Sequence, residues 1–148
     1  AGNRGAGTKD YASYERSHTV VIDNKVDIEA SSDLFFKGDK TKHNPEDLLL
    51  SSLAACHMLW YLHLCAVNRI IVIDYIYHAS GTMHLNENGS GYFSSVTLNP
   101  ILSVKEHSML EKAMELHKEA NSMCFIANSV NFPVLHRPEI KVTKINPE

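Results

Sequence analysis

Two cysteines far apart in the chain hold its reactive potential. Cys56 stands in the run Leu48-Leu49-Leu50-Ser51-Ser52-Leu53-Ala54-Ala55-Cys56-His57-Met58-Leu59-Trp60, which opens with Asn44-Pro45-Glu46-Asp47. Cys124 stands in Met123-Cys124-Phe125-Ile126-Ala127-Asn128-Ser129-Val130. A cysteine inside an apolar helix is ordinarily an inert packing residue. An acid in the first turn of that helix, Glu46, and a second thiol elsewhere change the reading: one cysteine to attack and one to resolve is the minimum equipment of a thiol redox enzyme. A free thiol titrates at about 8.5, so only a few per cent is nucleophilic thiolate at neutral pH. A guanidinium within reach stabilises that thiolate and any oxygen that turns negative as the thiol reacts. A carboxylate then fixes the guanidinium plane through a bidentate pair. Glu46 and Cys56 are ten residues apart, about 15 Å along an ideal helix, so the arginine has to arrive from another segment.

Other residues have quieter readings. Cys65 follows Cys56 by nine positions, half a turn around the helix, so it faces away and is expected to pack. His57 points about a quarter turn from Cys56, which makes it a core or interface histidine rather than a base for the thiol. His57 and His63 are six apart, and His117 and Cys124 seven apart. Neither spacing brings two ligands together as i,i+4 does, and no metal is expected. Gly5-Ala6-Gly7 has no strand before it and no Lys-Ser/Thr after it, so it is not a phosphate loop.

The 148 residues are 44% hydrophobic and 21% charged, enough for one globular domain with a core. A formal net charge of -3 leaves no electrostatic footprint for nucleic acid. The most apolar stretches, 48–64 and 69–77, are interrupted by polar residues or too short for a bilayer, so no membrane partner is expected. Three cysteines do not make a secreted disulfide scaffold, and no basic-then-apolar leader is visible, so the expected location is cytoplasmic.

The elements that must position these residues follow from periodicity and punctuation. Residues 1–13 are expected to be a flexible arm and 14–148 a single domain. Segments 14–22 and 25–30 read as two strands around a turn at Asp23-Asn24, and 31–43 as a polar loop with Gly38 and Lys37, Lys40 and Lys42. A long helix then runs from a cap at Asn44 to about Val67, buried on the strength of its apolar composition. Segments 70–85 and 92–104 form a hairpin about a turn at 86–91. Ser108 and Glu111 predict a capping box opening a second helix to about Asn121. A short helical turn over 124–130, opened by Cys124 beside Ser122, and a last strand within 134–145 complete an α+β order.

Asn44-Pro45-Glu46 with Leu48-Leu49, the small-residue stretch after it, Cys56 ten positions beyond Glu46 and Cys124 near a late short helix together resemble the OsmC/Ohr family (osmotically induced protein C and organic hydroperoxide resistance protein). Cys56-His57-Met58-Leu59-Trp60 and Cys124-Phe125-Ile126-Ala127-Asn128-Ser129-Val130 are similar to an OsmC-like branch rather than to either founding type. The resemblance covers roughly residues 14–145. It implies antiparallel sheets packed on a long central helix, in an intertwined homodimer with sites at the subunit interface. Cys56 falls on the family's peroxidatic cysteine, Cys124 on its resolving cysteine and Glu46 on the glutamate that orients an arginine. Arg16, in Tyr14-Glu15-Arg16-Ser17-His18, falls on that arginine as the hydroperoxide-resistance type has it; the OsmC type has its arginine where this chain reads Phe35-Phe36-Lys37.

The implied function is a cysteine-based peroxidase that reduces hydroperoxides to alcohols through a sulfenic acid and an intrachain disulfide. No cofactor is expected, but an external thiol reductant is needed, either a protein or a small dithiol. Phe35, Phe36, Met58, Trp60 and Phe125 are apolar enough to point to organic peroxides. The alternative is a non-enzymatic dimer of the same fold that binds a small hydrophobic ligand in the inter-subunit cleft. A Cys-His hydrolase lacks any nucleophile-elbow or oxyanion-loop signature.

Overall fold

The computed structural model describes residues 5–143. The chain divides into two compact units, Ala1–Leu49 and Leu50–Glu148.

In the first unit, β1 (His18–Val20) and β2 (Ile28–Ala30) form an antiparallel ribbon with His18 opposite Ala30. The turn between them holds Asn24 at φ 63°, and the Lys25 N–H donates to the Ile22 carbonyl at 3.0 Å. The strands are shorter than the sequence predicts. Val21, Ile22 and Val26 are exposed, Val26 at 92%, so the ribbon's ends have no apolar surface to pack on and the ladder stops. The loop beyond makes a single 3-10 turn, Leu34–Phe36, capped by Asp33 Oδ1 accepting from the Phe35 N–H at 2.8 Å. A Cβ at Gly38 would meet the Ser32 carbonyl oxygen at 1.6 Å, so the close return of this loop admits only glycine.

The first turn of α1 (Pro45–Val67) forms as its sequence dictates. Asn44 Oδ1 accepts from the Asp47 N–H at 2.8 Å, and Asp47 Oδ2 accepts from the Asn44 N–H at 3.1 Å. This reciprocal box satisfies two orphan donors, with Pro45 at the first helical position and Glu46 and Asp47 at the positive end of the dipole.

In the second unit, α1 buries Leu53, Ala54, His57, Tyr61, Leu64 and Cys65 along one stripe. The helix is therefore not buried all round within the chain: Leu59 is 64% and Val67 62% exposed. It ends on Arg69 at φ 59°, with the Ile70 N–H bonded to Cys65 O at 2.8 Å and the Arg69 N–H to Ala66 O at 3.2 Å. That is a Schellman closure with arginine in the position usually held by glycine.

The predicted hairpin is β3 (Val72–Leu85) against β4 (Gly91–Val104), antiparallel, with register irregularities near Val72/Asp74 and Thr82/Met83. Gly89 at φ 86° closes the turn, with its N–H on Asn86 O at 3.0 Å. β5 (Val134–His136) and β6 (Glu139–Val142) take successive stretches of the other edge of β4, both parallel to it, Val96 opposite Val134 and Val104 opposite Val142. The single last strand expected within 134–145 is thus two, parted at Arg137-Pro138, where proline offers no N–H to the ladder; positions 144–145 lie outside the described residues.

Val96, Leu98, Pro100, Leu102 and Val104 alternate inward along β4. Leu102 and Val104 meet Tyr61, Leu64 and Cys65 of α1 and Ala113, Leu116 and Ala120 of α2 (Leu110–Met123) in one core. The capping box expected of Ser108 and Glu111 does not form. The chain enters α2 through a 3-10 turn, His107–Met109, whose backbone bond from the Met109 N–H to Glu106 O at 3.1 Å carries the chain in without a side-chain cap.

Candidate functional site

Cys56 occupies the middle of α1, half-buried, and Cys124 lies buried just past the end of α2. Their side chains are hydrogen-bonded to each other, and all three cysteines of the chain are free thiols. Burial is the main cause that pushes the Cys124 thiol up to about 11; its hydrogen bond to Cys56 acts in the same direction, and the backbone N–H of Ala127, 3.4 Å from the sulfur, acts against both.

Cys124 stands between two elements. It is the C-cap of α2, with φ -69° and ψ 112°, and it also opens the short turn expected over 124–130: the Asn128 N–H donates to the Cys124 carbonyl at 3.0 Å and the Ala127 N–H to its sulfur at 3.4 Å. The backbone N–H groups of Ala127 and Ile126 favour the thiolate, and burial with the Cys56 contact outweighs them. The nearby polar residues brace the loop backbone rather than the sulfur. Ser122 Oγ donates to Glu119 O at 2.7 Å, Asn128 Nδ2 to Ser122 O at 3.1 Å and Ser129 Oγ to Phe125 O at 2.7 Å.

Beside the thiols lies a group that spacing rules do not reach. His57, buried on α1, shares a hydrogen bond with buried His117 of α2, Nε2 to Nδ1 at 3.0 Å. His136 of β5 packs on His57 with ring centroids 4.3 Å apart, and Tyr61 stacks on His117 at 3.8 Å. Burial, reinforced by the neighbouring imidazoles, brings His57 and His117 each down to about 3, so both rings are neutral at pH 7. Burial lowers His136 as well. His57 Nδ1, His117 Nε2 and His136 Nε2 have no hydrogen-bond partner. Among the described residues no three His, Cys, Asp or Glu side chains converge as a metal ion requires. Sequence analysis assigns His57 to the core but misses the pairing. Cys65 packs in the core as expected, and burial, the larger cause, raises its thiol against the opposing hydrogen bond with Tyr61.

Arg16 and Glu46 belong to the first unit. The Arg16 guanidinium lies over the rings of Tyr14 and Tyr11, at 3.8 and 4.4 Å from their centroids, and donates to the carbonyls of both residues. It also lines a polar cavity of about 510 Å³ with Lys37, Lys42, Asp39 and Ser31. Glu46 is half-buried in the first turn of α1. The ion pairs among the described residues join Lys42 to Glu29, Lys112 to Glu115 and Lys141 to Glu139. The structure thus brings Cys56 and Cys124 together and does not pair Arg16 with Glu46. Of the aromatic residues singled out in the sequence, Phe35 and Phe36 meet edge to face at 5.1 Å, and Trp60 meets Phe125, the residue after Cys124, at 5.9 Å.

The OsmC-like protein family model matches residues 38–138. Among solved structures, an OsmC-like protein of unknown function from Vibrio cholerae superposes with a TM-score of 0.83 at 27% identity, over 94% of this chain and 94% of its own. An organic hydroperoxide resistance protein from Elizabethkingia anophelis shares the fold at TM-score 0.67 and 19% identity, over 86% of this chain and 90% of its own. One from Legionella pneumophila does so at TM-score 0.65 and 16% identity, over 85% and 95%. No curated protein matches the chain.

Proposed function

The chain belongs to the OsmC-like protein family, and on that premise we propose that it is a cysteine-based peroxidase reducing organic hydroperoxides to alcohols. The observation that carries this reading is the contact between the reduced thiols of Cys56 and Cys124. The substrate class is supported by the names of two relatives of the same fold, each an organic hydroperoxide resistance protein.

In this mechanism the Cys56 thiolate attacks the distal oxygen of the hydroperoxide. An S–O bond forms, the O–O bond breaks, and the departing alkoxide takes up the proton the thiol released, leaving a sulfenic acid and an alcohol. Cys124 then attacks the sulfenic sulfur; an S–S bond forms, the S–O bond breaks and hydroxide leaves with the Cys124 proton as water. An external dithiol, thiol protein or small molecule, supplies the two electrons that reopen the disulfide through a mixed disulfide. The raised Cys124 thiol fits a resolving role. It stays protonated, and so out of competition for peroxide, while charge on Cys56 and burial hold it there. Oxidation of Cys56 to a neutral sulfenic acid removes the electrostatic part of that restraint. Arg16 and Glu46 are the proposed cation and orienting carboxylate for the peroxide oxygen.

The protein is proposed to act as a homodimer, because Leu59 and Val67 of α1 and Ile73 and Ile76 of β3 remain exposed on the single chain. Light scattering at micromolar concentration should give twice the chain mass, and a monomer would remove this part of the proposal.

Steady-state assay of the full chain with an organic hydroperoxide and dithiothreitol tests the activity: dithiol oxidation well above the uncatalysed rate is expected. A second reading, a dimer that binds a small hydrophobic ligand, is favoured by the groove of about 270 Å³ lined by Leu59, Trp60 and His63. It predicts saturable binding of an apolar probe with no peroxide-dependent dithiol oxidation.

A further inference from the structure

We propose that the buried His57–His117 hydrogen bond is a register pin, holding α1 against α2 so that Cys56 meets Cys124, and thereby a positioning pair for disulfide formation; the functional role rests on the dithiol reading above. The two helices are tied in sequence. Tyr61 Oη donates to Ala113 O at 2.9 Å, His57 bonds His117 at 3.0 Å, and Cys56 bonds Cys124. Moving back along α1 from 61 to 57 to 56 matches moving forward along α2 from 113 to 117 and then to its end at 124, so the ties run antiparallel, with one four-residue step common to both helices.

The rest of this core is apolar, with Leu64 and Cys65 of α1, Ala113, Leu116 and Ala120 of α2, and Leu102 and Val104 of β4. Such packing is non-directional, which leaves the Tyr61 bond and the histidine pair as the directional ties that set register. A slip of one turn moves a helix by about 5.4 Å. A disulfide tolerates Cα separations only within about 4.4–6.8 Å, so such a slip would part the thiols.

The histidine pair is an expensive way to fill that space. Whichever ring donates, His57 Nδ1 and His117 Nε2 stay buried without a partner, and two leucines would fill similar volume with no polar atom to satisfy. Polar pairs inside apolar interfaces find their best-attested use in fixing register at the expense of stability. His57 lies next to Cys56 in the chain, and His117 is on the helix that ends just before Cys124.

The test uses the full-length double variant His57→Leu/His117→Leu, equilibrated in glutathione buffers, with the Cys56–Cys124 disulfide quantified by mass spectrometry. The pin predicts thermal stability at least equal to wild type and a disulfide equilibrium constant at least tenfold lower, a potential higher by about 30 mV. His57→Gln, which keeps an amide near the Nε2 position, should stay within threefold of wild type. An equilibrium constant in the double variant within threefold of wild type overturns the inference. A double variant that fails to fold overturns it too, since the pair would then be a stability element. A wild-type chain that forms the disulfide with glutathione but leaves hydroperoxide unreduced sinks the peroxidase reading and leaves the pin standing.

Discussion

Mild acid should unfold this protein through its buried imidazoles. His57 and His117 sit at about 3 in the fold against an ordinary value of 6.5, because burial and neighbouring imidazoles penalise the charged ring. Between those values the unfolded chain binds protons that the folded chain refuses, so stability is complete above about 6.5 and is lost as pH falls toward 3. At pH 5 each ring is 1.5 pH units below its unfolded value, which costs about 2 kcal/mol, and the two together about 4 kcal/mol. His136 is shifted in the same direction and adds to the loss. Against a typical net stability of about 5–15 kcal/mol this is a large fraction. The carboxyls of Asp10, Glu29 and Asp39 are also lowered, first by hydrogen bonds from Ser13, Thr19 and Thr41, but their unfolded values of 3.8 to 4.5 place their contribution to acid lability below about pH 4.5. The window from 6.5 to 5 therefore belongs to the histidines. Urea titrations followed by circular dichroism at pH 7, 6 and 5 read the effect directly. A midpoint unchanged from pH 7 to pH 5 would refute the reasoning, because the rings would then be charged or hydrated inside the fold.

Cys56→Ser should abolish peroxide reduction, whereas Cys124→Ser should consume about one equivalent and stall as a sulfenic acid that dimedone traps; the opposite assignment in mass spectra of the two variants would invert the roles. Glu46→Ala should lower turnover roughly ten- to a hundred-fold without unfolding the chain, the scale of an orienting partner. Arg16→Ala should act in the same direction and more strongly, and an unaltered rate in that variant would make Arg16 a bystander held by its tyrosines.

The parts of this fold that read directly from sequence are those set by local chemistry. α1 announces both its start, in the Asn44–Asp47 box, and its apolar stripe, because caps and 3.6-residue periodicity act within a few residues. The hairpin is legible for the same reason, through the β-branched runs on either side of the turn ended by Gly89 and Ser90. Illegible features depend on what lies across space. Ser108 and Glu111 carry a good local signal, yet the 3-10 turn ahead of α2 takes over the entry. The turn opened by Cys124 is legible, with the Ala127 N–H on its sulfur, but the burial and the Cys56 contact that raise its thiol are not. The pairing of His57 with His117, sixty residues away, follows from no spacing rule. One trace of it was present: His57 falls on the Leu53–Tyr61 stripe and His117 on the Ala113–Ala120 stripe, each a histidine on an apolar face. That pattern signals burial, but only the packing of α1 on α2 reveals the partner.

The most direct test of the dithiol account is a thiol count on the fully reduced chain before and after one equivalent of an organic hydroperoxide, with the bridge located by mass spectrometry. The account predicts the loss of two thiols per chain, one equivalent of alcohol and a single intrachain bridge between Cys56 and Cys124, with Cys65 still free. Three free thiols remaining beside unconsumed hydroperoxide, or a bridge that includes Cys65, would contradict it.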